Sequence, residues 1–180
     1  MKKVSLGVIL KWFGILLGVV TLVCLAGAGL TSTKTVGGVT ASVSIGMGGF
    51  VFGGLKATVD AGSYSTTMNY DGGMSYFVLI GVILVIVGIV LAVLGTFFKK
   101  NGKLLSVIGG MLILVGGVCA MLIKVAGTDV TATVGGVSAS GSYTDFVEDR
   151  DIGIGAILFM VFGILSGLSV VASAFMTKKK

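Results

Sequence analysis

The side chains that could carry chemistry are few in this chain, and most lie outside its apolar segments. There is no histidine, and the two cysteines, Cys24 and Cys119, both fall inside apolar runs. Lys11 and Lys124 lie near the ends of such runs, where an ammonium group can reach water. Serines and threonines within the runs have no base beside them to activate a hydroxyl. The pattern predicts a protein that is not an enzyme and that needs no cofactor.

Two groups of residues leave alternatives open. Cys24 and Cys119 occupy matching positions in two similar halves of the chain, so they are either a redox pair or small packing residues, and packing is favoured. The carboxylates of segment 145–151 could bind a divalent cation through their oxygen atoms. The segment lacks the spacing of an EF-hand, and Arg150 interrupts it. A solvated stem before the last apolar run is favoured, with no metal site.

Composition indicates a membrane protein. Of the 180 residues, 55% are hydrophobic and 11% are charged, and the mean hydropathy is +1.12. These values lie outside the range of soluble domains. Four segments reach the roughly 20 apolar residues that cross about 30 Å of hydrocarbon, namely 6–30, 76–98, 104–123 and 152–176. We therefore expect a membrane α-helical protein, with a four-helix transmembrane bundle in the lipid bilayer.

Charge predicts the orientation of these spans. One side carries nine basic residues and no acidic residue, namely Lys2, Lys3, Lys11, Lys99, Lys100, Lys103, Lys178, Lys179 and Lys180. The other side has four basic and seven acidic residues, so +9 and −3 make up the net charge of +6. By the positive-inside rule both termini are cytoplasmic, and loops 31–75 and 124–151 lie outside. The basic excess is a topology signal, and no nucleic-acid partner is expected.

An internal repeat is the most specific feature of the sequence. Segment 35–42, TVGGVTAS, recurs as 133–140, TVGGVSAS, with seven identities in eight positions. The repeat predicts a first unit at 1–98, a cytoplasmic turn at 99–103 and a second unit at 104–180, within one structural domain. Each unit would be a helix, an outer β loop and a helix. Because both units begin inside, they would be parallel repeats about a pseudo-two-fold axis.

The outer loops have the alternation of β-strands. Apolar and polar residues alternate through 36–45, 55–60 and 130–140. The alternation shifts by one residue at Gly37-Gly38 and at Gly135-Gly136, which predicts a bulge in each strand. We expect a small extracytoplasmic antiparallel β-sheet of about four or five strands, built from both outer loops.

Strands 36–45 and 130–140 are expected to pair with each other. Both carry alternating Val/Ala and Thr/Ser, which suits cross-strand pairs. Val39 and Ala41 would then face Val137 and Ala139 in an antiparallel ladder that joins the two outer loops.

Glycines within the spans recur at intervals of four or seven. They are Gly14, Gly18, Gly81, Gly88, Gly95, Gly109, Gly116, Gly163 and Gly167. A repeat of small residues keeps one stripe of a helix against its neighbour, where the backbones approach closely. We predict that these residues pack the four helices, and packing within one molecule is favoured over packing between molecules.

The arrangement resembles the claudin-type four-span membrane proteins. The resemblance is one of topology. It rests on four spans, cytoplasmic termini, a long first outer loop with several strands and a shorter second loop. The tryptophan and paired cysteines of that family's first loop are absent from 31–75. The resemblance implies the outline of the fold and transfers no functional residue.

The expected function is association. The chain would be an accessory subunit, scaffold or surface-contact protein, and its partner would be another membrane protein or a second copy of the chain. The alternative is an oligomeric pore or small-solute channel, holin-like in its size and basic tail, lined by Thr21, Ser106, Ser166, Ser169 and Ser173. The small size and the lack of a glycosylation sequon favour a bacterial plasma membrane.

Overall fold

Each of the four apolar segments forms one long helix in the computed structural model. The helices are α1 (Leu6–Val23), α3 (Tyr76–Phe97), α4 (Gly102–Cys119) and α6 (Ile154–Met176). All four are long and apolar enough to cross a membrane. The first helix is shorter than its apolar run predicts, because the chain enters a strand at Ala28.

The structure describes residues 5–36, 39–98, 101–134 and 137–176. The bulges predicted at Gly37-Gly38 and Gly135-Gly136 lie outside the described residues, as do Lys99, Lys100 and both chain ends. The chain divides into two compact units. One is helical and contains α1, α4 and most of α3 and α6. The other, the sheet unit, comprises Cys24–Leu79 and Ala120–Leu158.

The sheet unit is built on one seven-stranded antiparallel sheet. Its strands are β1 (Ala28–Val36), β2 (Val39–Gly46), β3 (Leu55–Ala61), β4 (Tyr64–Gly72), β5 (Val130–Val134), β6 (Val137–Gly141) and β7 (Asp151–Ile152). Two short helices accompany them, α2 (Gly49–Phe52) and α5 (Tyr143–Glu148). The strand order is β6-β5-β4-β3-β2-β1-β7. Both segments between the long helices therefore contribute to the same sheet, which has more strands than predicted.

The two halves of the chain exchange strands at two places in this sheet. The strand before α3 pairs with the first strand of the second half, so that Gly72 lies opposite Val130. The strand before α6 pairs with the first strand of the first half, so that Leu30 lies opposite Ile152. Each half thus supplies the neighbour of the other half's first strand.

The predicted continuous strands 36–45 and 130–140 are wrong. In both places the chain reverses into an antiparallel hairpin, with Val36 opposite Val39 and Val134 opposite Val137. Residues that pair directly across an antiparallel ladder lie on the same face of the sheet. A hairpin therefore produces the same shift in alternation as a bulge, and a glycine pair between two alternating segments is a hairpin signal. The bulge interpretation overlooked β1, whose first residues extend the apolar run of α1.

The predicted pairing of Val39 and Ala41 with Val137 and Ala139 is also wrong. Ala41 lies between Lys34 and Ala61, and Ala139 lies opposite Ala132. Because each repeat folds into its own hairpin, both sides of β2 are already occupied by β1 and β3. The hairpin β5-β6 joins the sheet through β4 instead.

One face of the sheet is apolar, and its burial changes along the strands. At one end Leu30, Ile45 and Leu55 are fully buried, together with Phe50 of α2. On β3 the burial falls towards Ala61, which is half-buried. The opposite face carries threonine, serine and charged residues at the alternate positions, such as Ser42, which lies opposite Asp60. The sheet core therefore lies under one end of a single face.

Glycines bring the backbones of α3 and α4 together. A methyl group built on Gly88 would lie 2.6 Å from the carbonyl oxygen of Gly109, and one built on Gly109 would lie 2.6 Å from that of Gly88. The same contact recurs one heptad away on each side, between Gly81 and Gly116 and between Gly95 and Gly102. The structure therefore places five of the predicted stripe residues in one helix pair, in direct backbone contact.

The remaining predicted glycines lie at other helix pairs of the same unit. Gly167 faces Gly110, and Gly163 faces Gly117, between α4 and α6. Gly14 packs against Ser166 and Val170 of α6, and Gly18 against Ile89 of α3. Side chains fill the centre of the bundle, where Ile15, Ala92, Ile113 and Val170 form a buried cluster.

We predict that Gly109→Ala destabilises the helical unit. Overpacking of a tight contact costs about 1–3 kcal/mol, and the better helix propensity of alanine returns about 0.5–1 kcal/mol. The free energy of unfolding in detergent should therefore fall by about 1–2 kcal/mol. Gly46→Ala is the control, because a methyl group at Gly46 meets no atom within 4 Å. Equal stability of the two variants would contradict the packing role.

We predict that engineered disulfides distinguish the observed strand order from the expected one. In a background without Cys24 and Cys119, Asp71→Cys with Thr131→Cys should form a disulfide, because these residues lie opposite each other on β4 and β5. Thr40→Cys with Ser138→Cys, which would lie opposite each other in the expected ladder, should stay reduced, since three strands separate β2 from β6. Gel mobility with and without reductant shows whether each of the two double-cysteine variants has formed its disulfide. A disulfide in the second pair alone would restore the pairing that the structure rejects.

Candidate binding cleft on the sheet

The short helix α5 is attached to the sheet unit by its own side chains and by a lysine. Tyr143 and Val147 are buried, and the Tyr143 hydroxyl donates a short hydrogen bond to the carbonyl oxygen of Ile123. Lys124 donates to the carbonyl oxygen of Glu148 at 2.9 Å. A lysine at this place satisfies a terminal helix carbonyl and opposes the negative end of the helix dipole. Lys124 was expected only to reach water, and it fixes the end of α5 as well.

Burial shapes the chemistry of Tyr143. Its ring meets Phe50 edge to face, with ring centroids 6.4 Å apart. Burial raises the pKa of Tyr143 to about 12, so the phenol is neutral and remains a hydrogen-bond donor at neutral pH. Ser75 is fully buried, and its hydroxyl, which lies close to the Tyr143 phenol, opposes part of this rise in the pKa. Tyr143 is therefore a structural anchor, and the carbonyl of Ile123 is its partner.

Three side chains stack into a ridge across the sheet face. The rings of Tyr70 and Phe146 lie 5.3 Å apart at an interplanar angle of 61°. The guanidinium carbon of Arg150 lies 3.8 Å from the centroid of Phe146, which is a cation–π contact. Burial lowers the pKa of Arg150, and this shift is opposed by nearby Tyr70 and Asp149. Because a free arginine loses its proton only in strongly alkaline solution, Arg150 remains cationic at neutral pH.

The ridge separates two clefts. The larger one, here called the arginine cleft, has a volume of about 530 Å³ and is lined by Ser32, Lys34, Ala41, Val43, Asp145, Phe146, Asp149 and Arg150. The smaller one has a volume of about 290 Å³, and Tyr70, Val130, Ala132, Ala139 and Phe146 are among its lining residues. Small-molecule sites in proteins have volumes of about 300–1,000 Å³. The arginine cleft is therefore large enough for a ligand.

The arginine cleft offers groups for binding. Two cations and two carboxylates surround a floor of small side chains from β1 and β2. Cys24 and Cys119 do not line it, and the chain has no histidine. The acidic residues near α5 do not gather into a metal centre, since no cluster of three metal-ligating side chains occurs within the described ranges.

The structure distributes the predicted strand residues between the two clefts. Ala41 lines the arginine cleft, and Ala139 lines the smaller one. Sequence reasoning missed the ridge, although Phe146 and Arg150 are four residues apart. That spacing indicates a contact inside a helix, whereas α5 ends at Glu148 and Arg150 lies two residues beyond its end, in what was expected to be a solvated stem.

The polar residues of the spans are hydrogen-bonded inside the helical unit. Ser166 donates to the carbonyl oxygen of Gly14 at 2.6 Å, which joins α6 to α1. Thr21, Ser106, Ser169 and Ser173 donate to carbonyl oxygens of their own helices. Four of these five side chains are buried, Ser169 being the exception. The hydroxyls proposed to line a pore therefore serve helix packing and backbone hydrogen bonding in this structure.

Comparison with known proteins does not assign the chain to a family. No family model matches it, and no curated protein matches it significantly. Four helices long and apolar enough to span a membrane agree with a four-span topology. No family match supports the resemblance to claudins.

We predict that the stability contribution of Tyr143 depends on pH in the alkaline range. An unfolded tyrosine has a pKa of about 10, whereas the folded value is about 12. The contribution is therefore complete below pH 10 and is lost as the pH rises through 12. Below pH 10, Tyr143→Phe should lower the free energy of unfolding by about 1 kcal/mol, the net value of a typical hydrogen bond.

Chemical denaturation at several pH values measures this difference. The gap between wild type and Tyr143→Phe should narrow as the pH rises from 10 to 12. Tyr64→Phe is the control, because Tyr64 is 83% exposed and its removal should leave the pH profile unchanged. A gap that stays constant with pH would show that Tyr143 titrates alike in both states.

Proposed function

We propose that this protein is a non-enzymatic, multi-pass membrane protein that acts by association, as an accessory subunit, scaffold or surface-contact protein. In this proposal the four helices cross the plasma membrane, both termini are cytoplasmic, and the sheet unit lies outside in a claudin-like arrangement. Lysines confined to one side of the spans support the orientation. Large apolar side chains exposed along all four helices, such as Phe13, Ile83, Met111 and Leu165, support contact with lipid.

The observation that carries the association is an uncovered apolar patch on the sheet. Along the apolar face, Leu55 and Ala57 are 0% and 1% exposed, whereas Met68 is 46% and Tyr64 is 83% exposed. Met68 lies opposite Ala57, and Tyr64 lies opposite Ala61, so all four residues belong to the same face. Exposed apolar patches of this kind mark interaction sites. We name Tyr64 and Met68 the bare patch and assign it to a protein partner.

The partner is another membrane protein or a second copy of this chain. Tyrosine is favoured at protein interfaces because it combines a large apolar ring with a polar end, and methionine adapts to irregular surfaces. No observation favours the pore alternative, since the span hydroxyls are hydrogen-bonded within the bundle.

We predict that a photo-crosslinking residue at position 64 captures a partner in native membranes. The same residue at position 67 is the control, because Thr67 is exposed on the opposite face of the same strand. A discrete adduct at 64 and none at 67 is expected, and its mass distinguishes a second copy from a different protein. Tyr64→Ser with Met68→Ser should abolish co-purification of that partner without changing the unfolding midpoint. A chain that remains an uncrosslinked monomer would overturn the proposal.

A further inference from the structure

The guanidinium of Arg150 lies near Asp149 and Tyr70, which oppose the lowering of its pKa, and it faces the arginine cleft. Its side chain is half-buried and stacked on Phe146. Within the described residues its guanidinium makes no hydrogen bond and no ion pair. Arginine carries five N–H donors in a planar fork that fits a carboxylate in two places. A half-buried fork of this kind, facing a cleft, is suited to bind an anionic group from outside the chain.

The other charges of the arginine cleft restrict what that ligand can be. Lys34 adds a second cation to the lining, while Asp145 and Asp149 add two carboxylates. None of the four forms an ion pair within the described part of the chain. A purely anionic ligand would meet two carboxylates, and a divalent cation would meet Arg150 and Lys34. Charges of both signs in one cleft are complementary to a ligand that carries both.

The floor of the cleft limits the size of the ligand's side chains. Ala41 and Val43 form its apolar part, and Ser32 supplies a hydroxyl. These residues come from paired positions of β1 and β2, with Ser32 opposite Val43 and Lys34 opposite Ala41. A regular strand pair with short side chains leaves room for an extended molecule with small substituents lying against it.

We infer that the arginine cleft binds a small zwitterion, an amino acid or short peptide with free ends and small side chains. Arg150, with Lys34, binds the carboxylate, and Asp145 with Asp149 binds the ammonium group. Within the ridge, Phe146 stacks on Tyr70 and holds the guanidinium of Arg150 in place, so Phe146 is a positioning residue. This site shares no lining residue with the bare patch, and it goes beyond the proposed association.

The test uses the full chain in detergent micelles and isothermal titration calorimetry with alanyl-alanine. Three blocked forms of the dipeptide separate the two charges: N-acetylated, C-amidated, and blocked at both ends. The free dipeptide should bind saturably, and each singly blocked form should bind about ten- to a hundredfold more weakly, as expected for loss of a charge-assisted hydrogen bond. The doubly blocked form should not bind.

Two variants test which side chain binds the carboxylate of the dipeptide. Arg150→Gln should weaken binding of the free dipeptide about ten- to a hundredfold. It should leave binding of the C-amidated form unchanged, because that form lacks the carboxylate which Arg150 binds. Lys34→Gln, at an exposed position, should cause a smaller loss of affinity for the free dipeptide. It also tests the inference if Arg150→Gln does not fold. Lys56→Gln is the matched control, since Lys56 is an exposed cation on the opposite face.

Three outcomes would overturn the inference. They are no saturable binding of any form, equal binding of free and blocked forms, and wild-type affinity in both Arg150→Gln and Lys34→Gln. Binding of the N-acetylated form as tight as that of the free dipeptide would reduce the site to a carboxylate site and would reject the zwitterion.

Discussion

Direct contact between helix backbones is the constraint on which the helical unit depends. Where Gly88 meets Gly109, a methyl group on either residue would fall within 2.6 Å of a carbonyl oxygen. Polar side chains buried between helices that approach so closely bond to nearby carbonyls. Ser106 donates to Gly102 within its helix, and Ser166 donates to Gly14 of another helix. Packing and hydrogen bonding therefore use the same small residues.

The sequence predicted the parts of the fold that depend on local patterns. Hydropathy located four helices, because crossing a bilayer requires a fixed length of apolar residues. Alternation located most strands, but the shift at each glycine pair was ambiguous between a bulge and a turn, and the continuous strands expected there were wrong. Strand order depends on contacts between distant residues, such as Gly72 with Val130. Alternation of Val and Thr is compatible with many partners and does not select among them.

The candidate cleft was beyond sequence reasoning for the same reason. Arg150 was seen only as an interruption of an acidic run, and Phe146 and Tyr70 only as aromatic residues of the outer segments. Their stacking requires α5 to be helical and to lie on β4, which no local pattern states. In our two proposals the sheet face is used twice. Its bare patch offers apolar contact at Tyr64, and its arginine cleft offers paired charges, so the two proposed binding sites share one surface but no residues.

The exchange of strands between the halves has a consequence for the order of folding. Leu30 pairs with Ile152, 122 residues later in the chain. Contacts that distant are slow to form, because the entropy of closing a long loop is lost before the contact stabilises anything. During synthesis, the hairpins and the β3-β4 pair can form as they emerge, whereas the edge of β1 waits until almost the whole chain has been made. An unpaired edge is where chains associate wrongly, so β1 is the strand most exposed to misassembly during biogenesis.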